Sequence, residues 1–288
     1  LSLHDALPIL EEGATLHIEE GVKIIAVYDD IADYILVKQG GKINAVGTPD
    51  KPIVMTSEKE EPGAWGGIHI CGRAHTNAEG GKGSSEIGGA VYGGNDDADN
   101  SGTLQYIRLE YTGFAFDEEH EANGISFYSV GNGTIVDHCQ AYKGSDDGFE
   151  FFGGSVNVSN LVAVSCSDDS FDWTEGWNGK GTNLVAYQEA ESTLGYDCDC
   201  LMECDNNGSN NAATPVAHPV LKNLILVGNG GSKQGIRLRA GTEVEIDNAK
   251  VCGKGQPLTV ETALTENALK NGTSKLTNIT LTSELSSK

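Results

Sequence analysis

Two acidic octets carry residue types and a spacing that could support chemistry. Residues 145–152 read Ser-Asp-Asp-Gly-Phe-Glu-Phe-Phe, and residues 167–174 read Ser-Asp-Asp-Ser-Phe-Asp-Trp-Thr, 22 residues later. That separation is about one coil of a parallel β-solenoid, so the second octet is expected to stack on the first. Stacking places Glu150 beside Asp172 and Asp147 beside Asp169, at the strand spacing of about 4.8 Å. Like charges this close repel unless a cation or a basic group lies between them.

The alternation of side chains along a strand extends this pair into a column. In the first octet Phe149 and Phe151 point inward, whereas Glu150 and Phe152 point outward. Residues 200–205 align as a third copy of the strand, and residues 236–239 align as a fourth. The predicted outer column reads Glu150, Asp172, Glu203 and Arg237, and the upstream strands are expected to add Arg108, Glu110 and Tyr128 to the same general face.

Three chemical interpretations of this acidic ridge remain open. In the first, Arg237 or Arg239 neutralises Glu203 in an ion ladder that contributes little to stability at a surface. In the second, the ridge binds calcium, because carboxylate oxygens are the ligands that this ion prefers. In the third, stacked carboxylates serve as acid and base on a polysaccharide lying in the groove. The residues that would carry such catalysis are Glu150, Asp172 and Glu203.

Further residues are predicted to bind a ligand or a metal. Tryptophan, phenylalanine and tyrosine rings near the ridge (Trp177, Phe152 and Tyr196) could stack on sugar rings, whereas Trp173 is assigned to the core. A loop separate from the ridge is a weaker candidate for a metal and contains Asn95, Asp96, Asp97 and Asp99. The predicted ligand-binding set comprises Asp146, Asp147, Asp168, Asp169, Trp177, Arg237 and Arg239.

A recurring asparagine indicates the architecture. It occupies positions 160, 183, 223, 248 and 278, with Asp137-His138 at the equivalent place one coil earlier. Short runs of β-branched residues follow or precede each position, as in strands. One asparagine at the same turn of every coil can hydrogen-bond to the next, so these residues are interpreted as scaffold. The sequence therefore predicts an all-β, single-stranded, right-handed parallel β-helix with inserted loops.

The predicted domain covers residues 10–288, with long loops at 72–103 and 188–219. Loops on a solenoid often carry its function, so both are of interest. Residues 1–9 match nothing downstream and are interpreted as a non-native tail derived from a sequencing adapter. Export and membrane attachment therefore cannot be read from the start of the chain.

Composition excludes several classes of partner. The 288 residues carry a formal net charge of −23, which opposes binding to nucleic acid and to anionic membranes. No stretch of 18 apolar residues is present, so no transmembrane segment is expected. The seven cysteines are scattered, which is typical of small buried residues and not of a disulfide framework.

Several phrases also resemble a known family. They occur at 47–53 (Gly-Thr-Pro-Asp-Lys-Pro-Ile), 65–68 (Trp-Gly-Gly-Ile), 97–104, 106–111, 123–127, 235–239 and in both octets. The chain resembles the bacterial right-handed β-helix surface lipoproteins common in Bacteroidetes, which are related to a leptospiral outer-membrane lipoprotein. The resemblance implies export and display at the outer surface, without a settled biochemical activity.

These observations together predict a secreted or outer-membrane surface protein that binds a glycan or a host ligand, or acts in adhesion, with calcium as a structural ion. Its expected partner is a polysaccharide or another extracellular ligand. The alternative is a carbohydrate-active enzyme, a hydrolase or lyase. A purely structural spacer is the third class and predicts neither binding nor turnover. Enzyme activity is the less favoured interpretation, because the Gly-His-Gly element of β-helical polygalacturonases is missing. Oligomeric state is left open.

Overall fold

The computed structural model describes residues 8–28, 33–117 and 120–285, and nearly all regular structure in it is β. Consecutive strands are short and end at glycine-rich turns, as the β-branched runs of the sequence predicted. The first 142 residues contain strands β1 (Ile9–Leu10), β2 (Thr15–Ile18), β3 (Lys23–Ala26), β4 (Ile35–Val37), β5 (Lys42–Val46), β6 (Ile53–Ser57), β7 (Ile68–Cys71), β8 (Gly83–Ser84), β9 (Val91–Tyr92), β10 (Gly102–Glu110), β11 (Ile125–Tyr128) and β12 (Ile135–Tyr142). The remainder contains β13 (Phe149–Phe152), β14 (Asn157–Val164), β15 (Phe171–Thr174), β16 (Lys180–Tyr187), helix α1 (Glu191–Leu194), β17 (Met202–Cys204), β18 (Val220–Val227), β19 (Gln234–Leu238), β20 (Glu245–Cys252), β21 (Gln256–Val260), helix α2 (Ala263–Asn271) and β22 (Lys275–Leu281).

These strands form two long parallel sheets that the chain visits alternately. Sheet 1 has nine strands in the order β1-β4-β7-β11-β13-β15-β17-β19-β21. Sheet 2 has eleven strands and follows the order β2-β5-β10-β12-β14-β16-β18-β20-β22, with β3 and β6 alongside. Each strand therefore pairs with the strand one coil before and one coil after it, which is the topology of a parallel β-helix. The predicted fold class is confirmed.

The core lies between the two sheets and follows the two-residue alternation of the strands. Phe149, Phe151, Phe171 and Trp173 are each at most 2% exposed, as their inward assignment predicted. Aromatic rings stack along the axis, with Phe127 and Phe151 centroids 4.9 Å apart. Because the pairing register is fixed by this buried face, the opposite side chains are held in register on the outside.

The asparagine repeat forms a ladder, as predicted. The side chain of Asn183 donates to Asn160 Oδ1 at 2.9 Å, and that of Asn223 donates to Asn183 Oδ1 at 3.0 Å. These residues have φ values of 54–59°, in the left-handed region where asparagine is tolerated better than most residues. Each therefore bends its long strand of sheet 2 into two straight segments while linking the coils.

Two insertions lie beside the acidic column on the outside of the β-helix. Residues 72–101 carry a short antiparallel hairpin, β8 and β9, which packs against the outside of sheet 1. The predicted loop at 188–219 contains α1 and also strand β17, so an inserted segment lies on each side of that strand. No helix in the described ranges is long and apolar enough to cross a membrane.

The interpretation of residues 1–9 as a non-native tail stays a prediction. Residues 1–7 lie outside the described part. Ile9 lies in β1 and pairs in register with Leu36 of β4.

Candidate functional site

The predicted outer column of sheet 1 is present. Glu150 is in register with Asp172, Asp172 with Glu203, and Glu203 with Arg237 on four successive strands, β13, β15, β17 and β19. Toward the other end of the sheet the same column continues through Ser126. Three carboxylates therefore stand one above another, because the side chains on either side of each are buried in the core.

A second acidic column lies in the turn that precedes each of these strands. The backbone N–H of Asp169 donates to Asp147 Oδ1 at 2.8 Å, and that of Cys200 donates to Asp169 Oδ1 at 2.6 Å. Asn123 Oδ1 accepts from the N–H of Asp147 in the same way at 3.1 Å. Asp147 and Asp169 are 5% and 4% exposed, so the Ser-Asp-Asp motif places one carboxylate of each coil in a buried ladder.

The two columns form the wall of a cleft of about 340 Å³. Its lining consists of ten carboxylates and one arginine. They are Glu86, Glu121, Asp146, Asp147, Glu150, Asp168, Asp169, Asp172, Asp199, Glu203 and Arg237.

Sequence reasoning missed three of these acids. Asp199 precedes Cys200 at the position that Asp146 and Asp168 hold in the earlier coils, so alignment of the turns could have identified it. Glu86 comes from the insertion at 72–101, and Glu121 from a turn outside the strand repeat. Neither has a periodic signal in the sequence.

Among the described residues, basic side chains form ion pairs with the lining carboxylates at one end of the cleft. Arg237 pairs with Glu203 at 2.9 Å and with Glu261 at 3.0 Å. Arg239 pairs with Glu203 and with Asp205, and Lys233 pairs with Asp199 at 2.7 Å. The predicted arginine cap on Glu203 is therefore present, and both arginines lie beside the column.

The remaining carboxylates are held close together with little solvent. Burial, followed by the charge of Asp172, raises the pKa of Glu150 well above its ordinary value. Burial and then Glu203 do the same to the pKa of Asp172. Burial raises the pKa of Glu86 to about 7 and, with Asp168 as the next cause, raises that of Asp146 to about 8. The cleft therefore favours bound protons or a bound cation over a full set of free charges.

The carboxylate of Asp172 has an oxygen atom that lacks a hydrogen-bond partner. Its Oδ1 atom is fully buried and has no hydrogen-bond partner. By contrast, Glu150 Oε2 accepts a bond of 2.6 Å from the Asn123 side chain. A buried oxygen without a donor is costly, so the site favours a proton or a cation at Asp172.

Three sets of side chains could hold a metal ion, because one potential ligand atom from each member lies within 4.8 Å of the others. Two sets contain only carboxylates, and the third includes a thiol. The sets are Asp146, Asp147 and Asp168; Asp147, Glu150 and Asp172; and Asp169, Cys200 and Glu203. Calcium coordinates oxygen at 2.3–2.6 Å, so ligand atoms within 4.8 Å of one another are close enough to contact one ion.

The aromatic residues expected to contact sugars are placed differently. Trp177 is 1% exposed and stacks on Phe151 in the core, so its assignment to the ligand-binding set is corrected. Phe152 points outward as predicted but is covered by the insertion at 72–101. The hydroxyl of half-buried Tyr196 donates to the carbonyl of Ser165 at 2.7 Å. The alternation rule could not identify these contacts, because a turn and an insertion produce them.

Two residues of the upstream strands need correction. Arg108 and Glu110 lie in β10 of sheet 2, on a different face from the cleft. Tyr128 lies on the outer face of sheet 1, as predicted, where it stacks on Phe152 and is 1% exposed. Its hydroxyl donates to Glu86 Oε2 at 3.3 Å.

The aspartates of the weaker metal candidate, residues 95–99, form hydrogen bonds within the insertion at 72–101. Asp97 Oδ1 accepts from the backbone N–H and ring of His75, and Asp99 Oδ2 accepts from the N–H of Arg73. Asp96 Oδ1 accepts from the N–H of Ala98. These bonds stabilise the insertion, and the binding of a metal by Asn95 and the three aspartates stays a prediction.

All seven cysteines are free thiols. Cys198, Cys200 and Cys204 are fully buried, and burial is the main cause that raises the pKa of each thiol. Their burial agrees with the interpretation of the cysteines as small packed residues.

Comparison with known proteins gives a family-level match. A family model described as a pectate-lyase like beta helix domain matches residues 3–288, nearly the whole chain. No curated protein and no solved structure gives a significant match. This match supports a parallel β-helix family, while the Bacteroidetes lipoprotein type stays a prediction.

Proposed function

Because the chain belongs to the family of pectate-lyase-like β-helix domains, we propose that it is an extracellular or cell-surface protein whose acidic cleft holds calcium and binds a glycan through that ion. Domains of this kind are often extracellular or surface-exposed. Extracellular modules bind calcium with dissociation constants of about 10⁻⁴–10⁻³ M.

The observation that carries the proposal is the environment of Asp172. Its buried Oδ1 lacks a donor, and the carboxylates of Glu150 and Glu203 stand directly on either side of it. Arg237 and Arg239 pair with Glu203, but neither forms an ion pair with Asp172 or Glu150 in the described ranges. The charge of Arg239 acts on Asp172 without an ion pair and is outweighed by burial and by the neighbouring carboxylates, so a calcium ion bound here would add positive charge where it is lacking.

A bound cation would also determine how the cleft contacts a glycan. The cleft is lined entirely by charged residues, and two of the three rings expected to stack on sugars are buried. A glycan would therefore be held by its hydroxyl or carboxylate oxygens on open coordination positions of calcium. Anionic glycans such as uronic-acid oligomers fit best, because the metal would screen their repulsion from the cleft.

Calorimetry tests both parts of the proposal. Calcium should bind to the wild-type protein, and uronic-acid oligomers should bind only when calcium is present and not with a chelator. Asp172→Asn should weaken both events. Glycan binding of equal affinity with and without calcium would contradict the proposed mode, and an absence of calcium binding would remove its basis.

A polysaccharide hydrolase or lyase is the second candidate function. It is favoured by one observation: burial, with the charge of a neighbouring carboxylate as the next cause, raises the pKa values of Glu150 and Asp172 well above their ordinary values, which is the direction that a general acid requires. Glu203 would be the partner carboxylate, two strands from Glu150. Turnover on a broad polysaccharide panel that is lost in Asp172→Asn would support this activity, and turnover unchanged by that substitution would exclude this site.

A lipoprotein anchor, an outer-membrane location and adhesion to a host ligand stay predictions. Each rests on the resemblance seen in the sequence. Surface labelling of intact producing cells would test the location, and binding to immobilised host matrix proteins would test adhesion.

A further inference from the structure

A lysine is fully buried in the turn that follows strand β20. The Nζ atom of Lys254 donates to the carbonyl of Cys198 at 2.8 Å and to Asn229 Oδ1 at 3.1 Å. Its stem lies so close to Gly228 that a Cβ atom added to this glycine would be 2.6 Å from Lys254 Cγ. Lysine is almost never fully buried unless a partner compensates its charge, and both of these acceptors are neutral amide oxygens. The fold therefore holds a buried amine against a side-chain amide.

The amide of Asn229 is hydrogen-bonded at both of its ends. Besides Lys254, the backbone N–H of Gly231 donates to Asn229 Oδ1 at 3.0 Å. Asn229 Nδ2 donates to Asp197 Oδ1 at 2.7 Å, and the same carboxylate oxygen accepts from the N–H of Cys198 at 2.9 Å. An N–H donor on the carbonyl oxygen stabilises negative charge that develops there, and a carboxylate beside the amide nitrogen can deliver a proton to it.

The amine and the amide carbon are close to a reactive geometry. Asn229 Cγ is one C=O bond of about 1.23 Å from Oδ1, so it lies within about 4.3 Å of Lys254 Nζ. Reacting atoms are about 3–3.5 Å apart in a near-attack arrangement, which a small movement of either side chain would reach. Burial is the largest cause acting on Lys254 and lowers its pKa, which favours the neutral amine that a nucleophile requires.

We propose that Lys254 and Asn229 form an intramolecular isopeptide bond, with Asp197 transferring a proton. Lys254 Nζ attacks Asn229 Cγ, and the new Nζ–Cγ bond moves an electron pair onto Oδ1, where the N–H of Gly231 stabilises the charge. The Cγ–Nδ2 bond then breaks, and Nδ2 leaves as ammonia with the electron pair of that bond. Of the two protons that the ammonium form of Lys254 loses, Asp197 transfers one to Nδ2 and the other passes to solvent. The reaction needs no oxidant and no cofactor.

The bond joins two successive coils of the β-helix. Asn229 follows β18 and Lys254 follows β20, and these strands are neighbours in sheet 2. The two turns are already in contact, because the N–H of Gly230 donates to the carbonyl of Gly253 at 2.7 Å. The cross-link closes a covalent ring of one coil, and such a ring restricts the unfolded chain. Its role is stability, independent of the acidic cleft.

A competing reaction at Asn229 would change the mass of the chain by the same amount. A glycine follows this asparagine, and attack of the Gly230 backbone nitrogen on Asn229 Cγ would form a succinimide with loss of ammonia. In the structure that N–H is engaged by the carbonyl of Gly253, which opposes the attack. The two products differ in the partner of Asn229, so peptide mapping and a lysine variant distinguish them.

Intact-mass and tandem mass spectrometry of the full chain test the proposal. Wild-type protein should be lighter than its sequence by one molecule of ammonia. Trypsin should release residues 223–233 and 251–270 as one branched peptide that is uncut after Lys254. Lys254→Met removes the nucleophile, and Asp197→Asn keeps an oxygen that can accept both N–H groups but removes the proton carrier. Both variants should show their full sequence mass.

Lys250→Met is the matched control, since it removes an exposed lysine of β20 four residues earlier, and it should still lose ammonia. Wild-type protein that keeps its full sequence mass after prolonged incubation at neutral pH, with the two peptides separate, would overturn the proposal. Loss of ammonia that persists in Lys254→Met and maps to residues 229–230 alone would also overturn it, in favour of the succinimide. A branched peptide formed equally in Asp197→Asn would overturn the assigned role of Asp197.

Discussion

The carboxylates of Glu150 and Asp172 are register partners on neighbouring strands and face the same cleft, with no basic side chain paired to either in the described part of the chain. The stacked aromatic core enforces this contact between like charges. A fold can maintain such an arrangement when protons or cations supply the missing charge. The pH dependence of stability and its response to calcium distinguish these two states.

The first prediction concerns pH in the absence of metal. The pKa values of Glu86 and Asp146 are raised to about 7 and about 8 in the folded chain. At any pH between the ordinary pKa of each carboxyl and its raised pKa, the folded chain therefore binds more protons than the unfolded chain. Stability should therefore fall as pH rises. In a chelator, the melting temperature should decrease between about pH 6.5 and about pH 8. Burial lowers the pKa of His69 from 6.5 to about 4, so this histidine affects the pH dependence of stability mainly below that window.

Calcium should reduce or reverse this trend, since binding requires deprotonated carboxylates and releases protons. Differential scanning calorimetry in calcium and in chelator gives the comparison. A metal-free melting temperature that rises across this window would contradict the charge assignment.

The second prediction separates charge from fold at Asp172. Asp172→Asn removes an ionisable group whose pKa burial raises well above normal, and it preserves the shape of the side chain. Without metal, the free energy of unfolding above neutral pH should increase by about 1 kcal/mol or more. Calcium affinity should decrease by about tenfold or more.

Urea denaturation and calcium titration of the same variant provide both measurements, with Asp50→Asn, which changes an exposed aspartate outside the cleft, as the control. A variant that is destabilised in chelator yet binds calcium normally would show that Asp172 serves the fold and not a metal.

The third prediction concerns the asparagine ladder. Asn183 links the asparagines of two other coils and has φ of 58°. Asn183→Ala should lower the free energy of unfolding by about 2–3 kcal/mol, because it loses two hydrogen bonds and strains the backbone. Asn183→Gly loses the same bonds without the strain and should cost about 1 kcal/mol less.

Chemical denaturation of the two variants measures the difference. Equal destabilisation would mean that the left-handed conformation contributes nothing, and no destabilisation in either would remove the structural role of the ladder.

The fourth prediction tests the corrected position of Trp177. This residue packs on Phe151 at a centroid distance of 4.1 Å and donates from Nε1 to the carbonyl of Val156. Trp177→Ala should destabilise the protein by about 3–5 kcal/mol through the cavity it leaves. Trp177→Phe should cost less and leave glycan binding unchanged.

Denaturation and glycan titration of Trp177→Phe check this assignment. A stable, well-folded Trp177→Phe variant that loses glycan binding would return the residue to the ligand-binding surface.

The repetitive part of the molecule was predictable because it follows a local rule. The spacing of 22 residues between the octets and the alternation of Phe149, Glu150 and Phe151 were enough to place Glu150 beside Asp172. Alignment of residues 236–239 as a further copy of the strand placed Arg237 beside Glu203. The asparagine ladder followed from a residue type that recurs once per coil at unequal spacing. A parallel coil transmits sequence spacing directly into spatial neighbours, so each repeat position could be assigned without long-range information.

Residues outside the repeat could not be placed in this way. Glu86 and Tyr92 reach sheet 1 from an insertion whose course depends on tertiary packing, and that packing also buries Phe152. Trp177 lies in a turn, where alternation between faces no longer applies. Arg108 was assigned to the wrong face because β10 belongs to the other sheet. Contacts made by insertions and turns therefore defined the limit of the sequence prediction.

A crystal structure of the protein grown with calcium tests the central claim most directly, with anomalous scattering used to identify the ion. The account predicts calcium in contact with Asp147, Glu150 and Asp172, with the buried oxygen of Asp172 among its ligands. A cleft without anomalous density at saturating calcium, with these carboxylates sharing protons instead, would contradict it.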